Sequence, residues 1–425
     1  MLTHFKEKYI GSASFYKRYL CLALPMILQN AITNLVSFLD NIMVGQLGTE
    51  PMSGVAIVNQ LIFVYNLAIF GAVSAASIFG AQYFGKGNHK GHMHSFRFKL
   101  YASLTMTAAT ILLFMTKGST LISLYLTDTT GSGATEAALQ YGLEYLAIMM
   151  IGLIPFAINQ SYATNIKETG QTLIPMIASF AAVGINAVLD YILIFGLGPI
   201  PKMGVIGAAL ATVIARYIEA LIVIVWAHTN RAKNRYLEGA YRGFGIPKAE
   251  FKAILIKGLP LMLNEVFWAA GMTTVTQCYS VRGLEVIAGL NIATTITNLF
   301  NIIYIQLGGC ISIVVGQYLG AGKLKEAKDA DNKMIVFSVF CCAIVAGVML
   351  MFGGLFPQIY NTSEEIKALA TSFIAVSAII MPFCSFSHAS YFTLRSGGKT
   401  MVTFLFDSVF TWVVVVPAAF LLARY

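Results

Sequence analysis

Charge is what this sequence has least of. Lys, Arg, Asp and Glu make up 11% of its 425 residues, against about a quarter in soluble globular domains, too little to coat a water-facing surface. The six cysteines (Cys21, Cys278, Cys310, Cys341, Cys342 and Cys384) all fall inside apolar runs, with no CxxC spacing. That excludes a disulfide-stapled secreted scaffold and leaves packing as their expected role. Long polar stretches are scarce too: the longest, AHTNRAKNRYLEGAYRGFGIPKAE, runs from 227 to 250 and leaves no room for a large soluble domain.

What is abundant is apolar sequence, 57% of the chain with a mean hydropathy of +0.73. This composition is that of an integral membrane protein. Windows of about 19 residues place eleven spans, near 19–43, 54–79, 98–116, 139–164, 173–197, 204–227, 253–280, 286–314, 334–356, 366–392 and 401–423. The N-terminus, MLTHFKEKYIGSASFYKRYL, puts basic residues before an apolar run too long for a signal-peptide core, and reads as an uncleaved first span. An odd count ends the chain on the opposite side directly after an apolar run, so a twelfth span is expected to be missing from this sequence.

The net charge of +9 has a topological meaning. Basic residues sit in loops and form no stripe with aromatics, so nucleic acid is not an expected partner. Of the Lys and Arg residues, 22 fall on the N-terminal side of the spans, five on the other, and Arg216 lies within a span. By the positive-inside rule this predicts a multi-pass protein of the cell inner (plasma) membrane, with a cytoplasmic N-terminus and the lipid bilayer as its surroundings.

The sequence also repeats itself. At an offset of 235, Leu24, Pro25 and Leu28 match Leu259, Pro260 and Leu263; Gly48, Glu50 and Gly54 match Gly283, Glu285 and Gly289; and GAQYFGKG matches VGQYLGAG. At an offset of 228, KETGQT (167–172) matches RSGGKT (395–400). Pro, Gly, Gln and Glu recurring in one register argue for duplication. Six spans is an even number, so the halves run parallel, related by an axis along the membrane normal. The predicted fold is an all-α polytopic membrane protein of two pseudo-symmetric six-helix bundles around a central cleft: an N-lobe over 1–228, a cytoplasmic linker over 229–252 and a C-lobe over 253–425 lacking its twelfth helix.

The opening LPMILQNAITNLVSFLDNIMVGQLGTEPMSGVAI, the QYFGKG and QYLGAG turns, and GINAVLDYILIFGLGPIPKMGVIGAALATVIARYIEA, in that order, resemble the multidrug and toxic compound extrusion (MATE) transporters over essentially the whole chain. The resemblance implies two six-helix lobes, a cavity open to one side at a time, and export of organic cations or other amphipathic compounds against inward H+ or Na+.

Carboxylates in hydrocarbon are usually neutralised, paired or functional. Asp40 lies toward the outer end of span 1 on a polar stripe with Thr33 and Ser37, and Asn186 and Asp190, four apart, share a face of span 5. Mutual repulsion and desolvation suit a proton, while clustered oxygens suit Na+; both stay open. The DinF-like branch of the family carries a span 1 aspartate, an Asn-x-x-x-Asp pair in span 5 and a span 6 threonine, matched here by Asp40, Asn186, Asp190 and Thr212. Glu265 in span 7 shares a face with Trp268 and Met272. NorM-like members carry a glutamate there with an aspartate in span 10, where this chain has Cys384, Ser385, Ser387 and His388. Glu265 is therefore left to meet cationic substrate, to join a second cation site, or to pair with His388. Asn298 belongs to a polar stripe of span 8, with Asn291, Thr294 and Asn301, matching Asn59 and Asn66 in span 2.

The remaining signals are assigned structural roles. Asp407 is expected to be solvated or to pack the lobe, Arg216 and Glu219 to form a local ion pair, and Glu144 to be interfacial. Pro25 and Pro260 each remove a helix hydrogen bond and are candidate bends; bending at Pro25 is a way to collapse the N-lobe cavity. HKGHMH (89–94) lies in a basic loop without acidic partners, and no metal site is expected beyond Na+. RSGGKT lacks the first glycine of a phosphate loop, and no catalytic cluster is visible. The expectation is thus a monomeric secondary exporter of small amphipathic or cationic molecules, neither an enzyme nor a cofactor protein. Its rival is a lipid-linked-precursor flippase, which would favour a strongly basic cavity where the spans offer Arg216.

Overall fold

In hydrocarbon every backbone N–H and C=O must find its partner within the protein, which leaves helices for the long apolar runs. The computed structural model, described over residues 8–126, 132–243, 245–360 and 362–424, has eleven helices long and apolar enough to cross a membrane. They are α1 (Ala13–Gly45), α2 (Thr49–Gly85), α3 (His89–Ser123), α4 (Ser132–Glu168), α5 (Leu173–Phe195), α6 (Val205–Thr229), α7 (Lys248–Ser280), α8 (Leu284–Gly320), α9 (Leu324–Phe352), α10 (Glu364–Ser396) and α11 (Thr400–Arg424). Several run well past the apolar windows because their ends continue as helix into polar sequence; α3, for instance, starts at His89 and takes in the whole HKGHMH segment. The first seven residues, including Lys6 of the basic N-terminal stretch, lie outside the described residues.

Two compact units make up the chain: Leu28–Ser77 with His89–Phe251, and Met1–Ile27, Ile78–Asn88 with Lys252–Tyr425. α1 and α2 therefore each contribute to both, which a division at the linker alone does not contain. In the first unit, α2, α4 and α6 meet around Val58, Ile62, Ile69, Leu153, Ala209 and Val213. The Tyr65 hydroxyl is accommodated there by donating to the Leu153 carbonyl, 3.0 Å away. In the second unit, Tyr19, Ala23 and Met26 of α1 pack on Leu307, Cys310 and Ile311 of α8. Large apolar side chains such as Met115, Phe383 and Leu422 are exposed; in water they would drive association, and in a bilayer they meet lipid.

The duplication reappears in the turns. Among the described residues every positive φ belongs to glycine, and six of these ten glycines pair at the two sequence offsets: Gly48 with Gly283, Gly87 with Gly322, and Gly170 with Gly398. Each of the latter two pairs ends its helix with the same bond across the glycine. Asn88 N donates to Tyr83 O as Lys323 N does to Tyr318 O, and Gln171 N donates to Ile166 O as Lys399 N does to Leu394 O. This is the Schellman closure, in which a left-handed glycine lets a later N–H reach back to an otherwise unpaired carbonyl.

The ends of α2 and α8 cross within the second unit, and the crossing is reciprocal. A Cβ at Gly85 would sit 2.6 Å from Cα of Gln317, and one at Gly320 would sit 2.7 Å from Cα of Gln82. Those two pairs are related by the same offset of 235, so the contact is made by equivalent atoms of the two repeats.

α1 and α7 run through Pro25 and Pro260 as continuous helices. α11 contains two stretches of wider π winding, Leu405–Val409 and Thr411–Val415. Pro417 lies one turn after Val413 and has no N–H to offer it, which loosens the second stretch.

Gly320→Ala is expected to lower stability by about 1–3 kcal/mol, because the backbones must separate to admit one methyl group. Gly347→Ala, with open space around it, is expected to leave stability unchanged or slightly higher. Thermal unfolding of the two variants in detergent checks the contrast.

Candidate functional site

The first unit gathers its polar residues where α1, α4, α5 and α6 approach one another. Asp190 is 1% exposed and Asn186 is 5% exposed, one turn apart on α5. The Asp40 carboxyl of α1 lies against that of Asp190, each within the other's direct electrostatic reach. The structure thus brings Asp40, Asn186 and Asp190 together. Thr212 is half-buried on α6 and makes no hydrogen bond among the described residues. Thr33 and Ser37, on the Asp40 stripe, turn their hydroxyls back to the carbonyls of Gln29 and Thr33.

The hydrogen-bond accounting at this pair is unusual. Asp40 Oδ1, both carboxyl oxygens of Asp190 and the Asn186 amide nitrogen are buried and make no well-formed hydrogen bond, although the two carboxyls and the Asn186 amide stand close enough to interact. Ionised carboxylates only accept, so two of them face to face cannot satisfy one another. A proton held between them supplies the missing donor, and a small hard cation supplies the missing positive charge. The residues present fit either.

Two neighbours escaped the sequence reading. Tyr145 is buried on α4, donates to the Asn59 amide oxygen at 3.3 Å, and lies within electrostatic reach of Asp40, Asp190 and Arg216. It is adjacent in sequence to Glu144, which is half-buried and accepts from Gln140 at 3.1 Å; a buried tyrosine one position from a partly exposed glutamate leaves no hydropathy signal. Arg216 does not form the expected ion pair with Glu219. Its guanidinium donates to the Gly152 carbonyl at 3.3 Å and stacks over Phe156, 5.2 Å from the ring centre. Glu219 instead accepts from Ser179, which accepts from Gln29 at 2.7 Å. Spacing of three on a helix permits a pair, and here tertiary donors win.

In the second unit, Glu265 on α7 has Arg395 and Asp407 as its charged neighbours. His388 does not pair with it; its Nδ1 meets the Cys384 carbonyl at 3.1 Å, its ring packs on Tyr304, and its charged neighbour is Asp407. Asp407 accepts from Asn264 at 2.8 Å, while Ser408 donates to the Asn264 side-chain oxygen at 2.8 Å. Asp407 of α11 thus stands near Glu265 and ties α11 to α7 through Asn264, a lobe-packing contact of the kind expected of it. The tertiary fold, which sequence spacing does not report, places it there. Trp268 and Asn298 are exposed, and neither hydrogen-bonds to Glu265 among the described residues.

The histidine-rich segment also differs from its expected state. His92 Nε2 lies 3.3 Å from Glu168, Lys99 Nζ lies 2.5 Å from both Glu168 and Asn165, and all four side chains are buried. His94 meets Glu250 at 2.8 Å, and Arg97 donates to the carbonyls of Gly239, Ala240 and Gly245 at 2.8–2.9 Å. Acidic partners come from α4 and from the linker that follows α6, distant in sequence. The segment clamps that linker to the helix ends, with Tyr236 packed on the His92 ring.

Comparison with known proteins puts this arrangement in context. The family model MatE matches residues 25–192 and again 260–421; the two matches begin at Pro25 and Pro260, at the repeat offset of 235. A protein of Oceanobacillus iheyensis described as "Probable multidrug resistance protein NorM" is 26% identical over 411 residues, 96% of this chain and 90% of the relative. One of the same description from Thermotoga maritima is 24% identical over 414 residues, 96% of this chain and 86% of the relative. Among solved structures, an outward-facing multidrug resistance MATE family transporter of the MOP superfamily matches with a TM-score of 0.85 at 21% identity, covering 96% of this chain and 88% of that one. A MOP superfamily transporter from Pyrococcus furiosus matches with a TM-score of 0.82 at 20% identity, covering 96% and 88%. These structural likenesses establish the fold.

Removing the buried cation Lys99 leaves Glu168 short of its strongest donor. Lys99→Met is expected to destabilise the protein by about 3–5 kcal/mol, and Lys99→Met combined with Glu168→Gln to recover part of that loss. Thermal unfolding in detergent of the parent, single and double variants measures both.

Proposed function

The chain belongs to the MatE family, whose members are multi-pass membrane transporters and not enzymes, and from that premise we propose that it is a secondary active multidrug exporter. It exchanges organic cations or amphipathic compounds for inward-moving H+ or Na+ by alternating access. It works as a monomer in the cell inner membrane, with its N-terminus cytoplasmic. Relatives described as multidrug resistance proteins support the efflux reading, and the basic loops support the orientation.

The observation that carries the coupling step is the Asp40–Asp190 pair, with three of its carboxyl oxygens and the Asn186 amide nitrogen buried without a well-formed hydrogen bond. Loading a proton or cation there removes the repulsion between the carboxylates, so the loaded and unloaded proteins favour different arrangements of α1 against α5. A ligand shifts such an equilibrium by as much as it prefers one arrangement over the other. Glu265, half-buried beside Arg395, is assigned to cationic substrate. The flippase alternative needs a basic cavity for a pyrophosphate, and the helix cations are already engaged: buried Lys99 by Glu168, buried Arg97 by three carbonyls, buried Arg395 by Tyr391 and Phe392, and half-buried Arg216 by a carbonyl and a ring.

Dye efflux from vesicles under separate pH and sodium gradients tests the proposal. Asp40→Asn and Asp190→Asn are each expected to reduce gradient-driven efflux by about tenfold or more, the order of effect that a coupling energy of 1–3 kcal/mol produces. Unchanged efflux in both variants would reject the site. Pro25→Ala, which restores the missing helix hydrogen bond, is expected to slow coupled efflux several-fold while leaving dye binding intact; normal coupled transport by that variant removes bending at Pro25 from the mechanism.

A further inference from the structure

A cavity of about 690 Å³ in the second unit is unrelated to either carboxylate cluster. Its walls come from the start of α1, the end of α2 and the corner between α8 and α9, all at the end of the bundle where basic loops gather. The lining holds two cations, Arg18 and Lys323, and no carboxylate. Neither cation has an ion-pair or side-chain hydrogen-bond partner among the described residues, although Lys333, further along α9, pairs with Asp329 at 2.6 Å. Lys323 is also the N-cap of α9, so its charge stands where that helix begins. The same lining carries the apolar side chains Phe15, Leu22, Val314 and Met334, beside the polar Ser12, Ser14 and Gln317.

A lining both cationic and apolar repels organic cations, and a small soluble anion leaves its apolar part without a partner. It suits an amphiphile with an anionic head. We propose that this cavity binds the phosphate headgroup of an anionic phospholipid from the adjoining leaflet. Arg18 and Lys323 hold the phosphate, and the apolar wall takes the first part of an acyl chain. Basic pockets between membrane helices on the cytoplasmic side recognise headgroups by this chemistry. The choice of leaflet rests on the orientation proposed above; the binding chemistry does not. Gly85 and Gln317 of the reciprocal crossing also line the cavity, so a bound lipid spans the start of α1 and the closest backbone contact between the repeats.

The test uses the full chain, delipidated in mild detergent and titrated with phosphatidylglycerol or phosphatidylcholine while native mass spectrometry counts bound lipid. The parent is expected to prefer phosphatidylglycerol by roughly tenfold, the scale set by two basic contacts. R18Q/K323Q is expected to lose that preference and R18K/K323R to keep it, with each single glutamine variant intermediate. A parallel arm adds inorganic phosphate or glycerol phosphate at millimolar concentration, which is expected not to displace the lipid. Equal binding of the two lipids by the parent, or an undiminished preference in R18Q/K323Q, overturns the proposal. Displacement by phosphate alone overturns the lipid and leaves a free-anion site. Should the double variant fail to stay folded by gel filtration, the single variants decide on the same criterion. Gradient-driven efflux measured on the same samples separates loss of this site from failure of the Asp40–Asp190 reading.

Discussion

A buried carboxylate needs a donor, and the way each acidic side chain finds one divides this molecule into parts that hold it together and a part left to be completed. Glu168 has Lys99 and His92, Glu219 has Ser179, Asp331 has Thr393 and Asp407 has Asn264. Those contacts tie helix to helix and are complete as they stand. At Asp40 and Asp190 the accounting stays open, with buried oxygens and no well-formed hydrogen bond to them. Unsatisfied polar groups of this kind cost on the order of a few kcal/mol each, and the fold carries them because close packing around α5 and α6 leaves them little freedom. At Gly207 a Cβ would stand 2.6 Å from the Leu193 carbonyl carbon, so the two helices are nearly in backbone contact beside the pair. Rigid surroundings and an unsatisfied centre together make a site whose energy depends strongly on a small positive ion.

The duplication supplies the frame. Equivalent glycines turn the chain at equivalent points, and equivalent helix ends, α2 and α8, meet at equivalent glycines. Reciprocity follows from parallel repeats: an axis relating the two halves forces any contact that crosses it to be made twice, once in each direction. Small residues at such a crossing let backbones approach, and in lipid this close packing replaces the hydrophobic drive between helices. The chemistry has diverged where the frame has not. The first unit pairs Asp40 with Asp190, whereas the second sets Glu265 near Asp407 on the equivalent helices of its repeat, α7 and α11, but at different positions along them.

Hydropathy made the helices legible, since long apolar windows in a chain this poor in charge have one reading. Periodicity made part of the site legible as well: four residues between Asn186 and Asp190 put them on one face whatever the tertiary fold. Helical spacing fails where a donor comes from elsewhere in the chain. Arg216 and Glu219 share a face, yet Phe156 and Gly152 from α4 claim one and Ser179 from α5 the other. The charged residues near the start of α3 resembled a solvated loop because their partners, Glu168 and Glu250, lie 76 and 156 residues away in sequence. That Asp407 meets Asn264 and stands near Glu265 depends on the packing of α11 against α7 and not on its neighbours in sequence.

The two carboxylate clusters also differ in how their charge is balanced, and this bears on which of them couples transport to an ion gradient. Glu265 and Asp407 share their surroundings with Arg395, and His388 lies beside Asp407. A guanidinium is permanently charged, so it already supplies the positive charge that an entering ion would bring, and it weakens the repulsion whose removal would make entry favourable. Near Asp40 and Asp190 the nearest comparable cation is Arg216, held by Phe156 and the Gly152 carbonyl and reaching the acids by way of Tyr145. Repulsion there is relieved less by fixed charge and more by whatever binds. On the proposed reading, a coupling ion therefore gains most at the first pair. The second cluster keeps a carboxylate on the same helix face as the exposed Trp268, three residues on, and under that reading this is better matched to an organic cation, whose charge is diffuse and whose body is apolar.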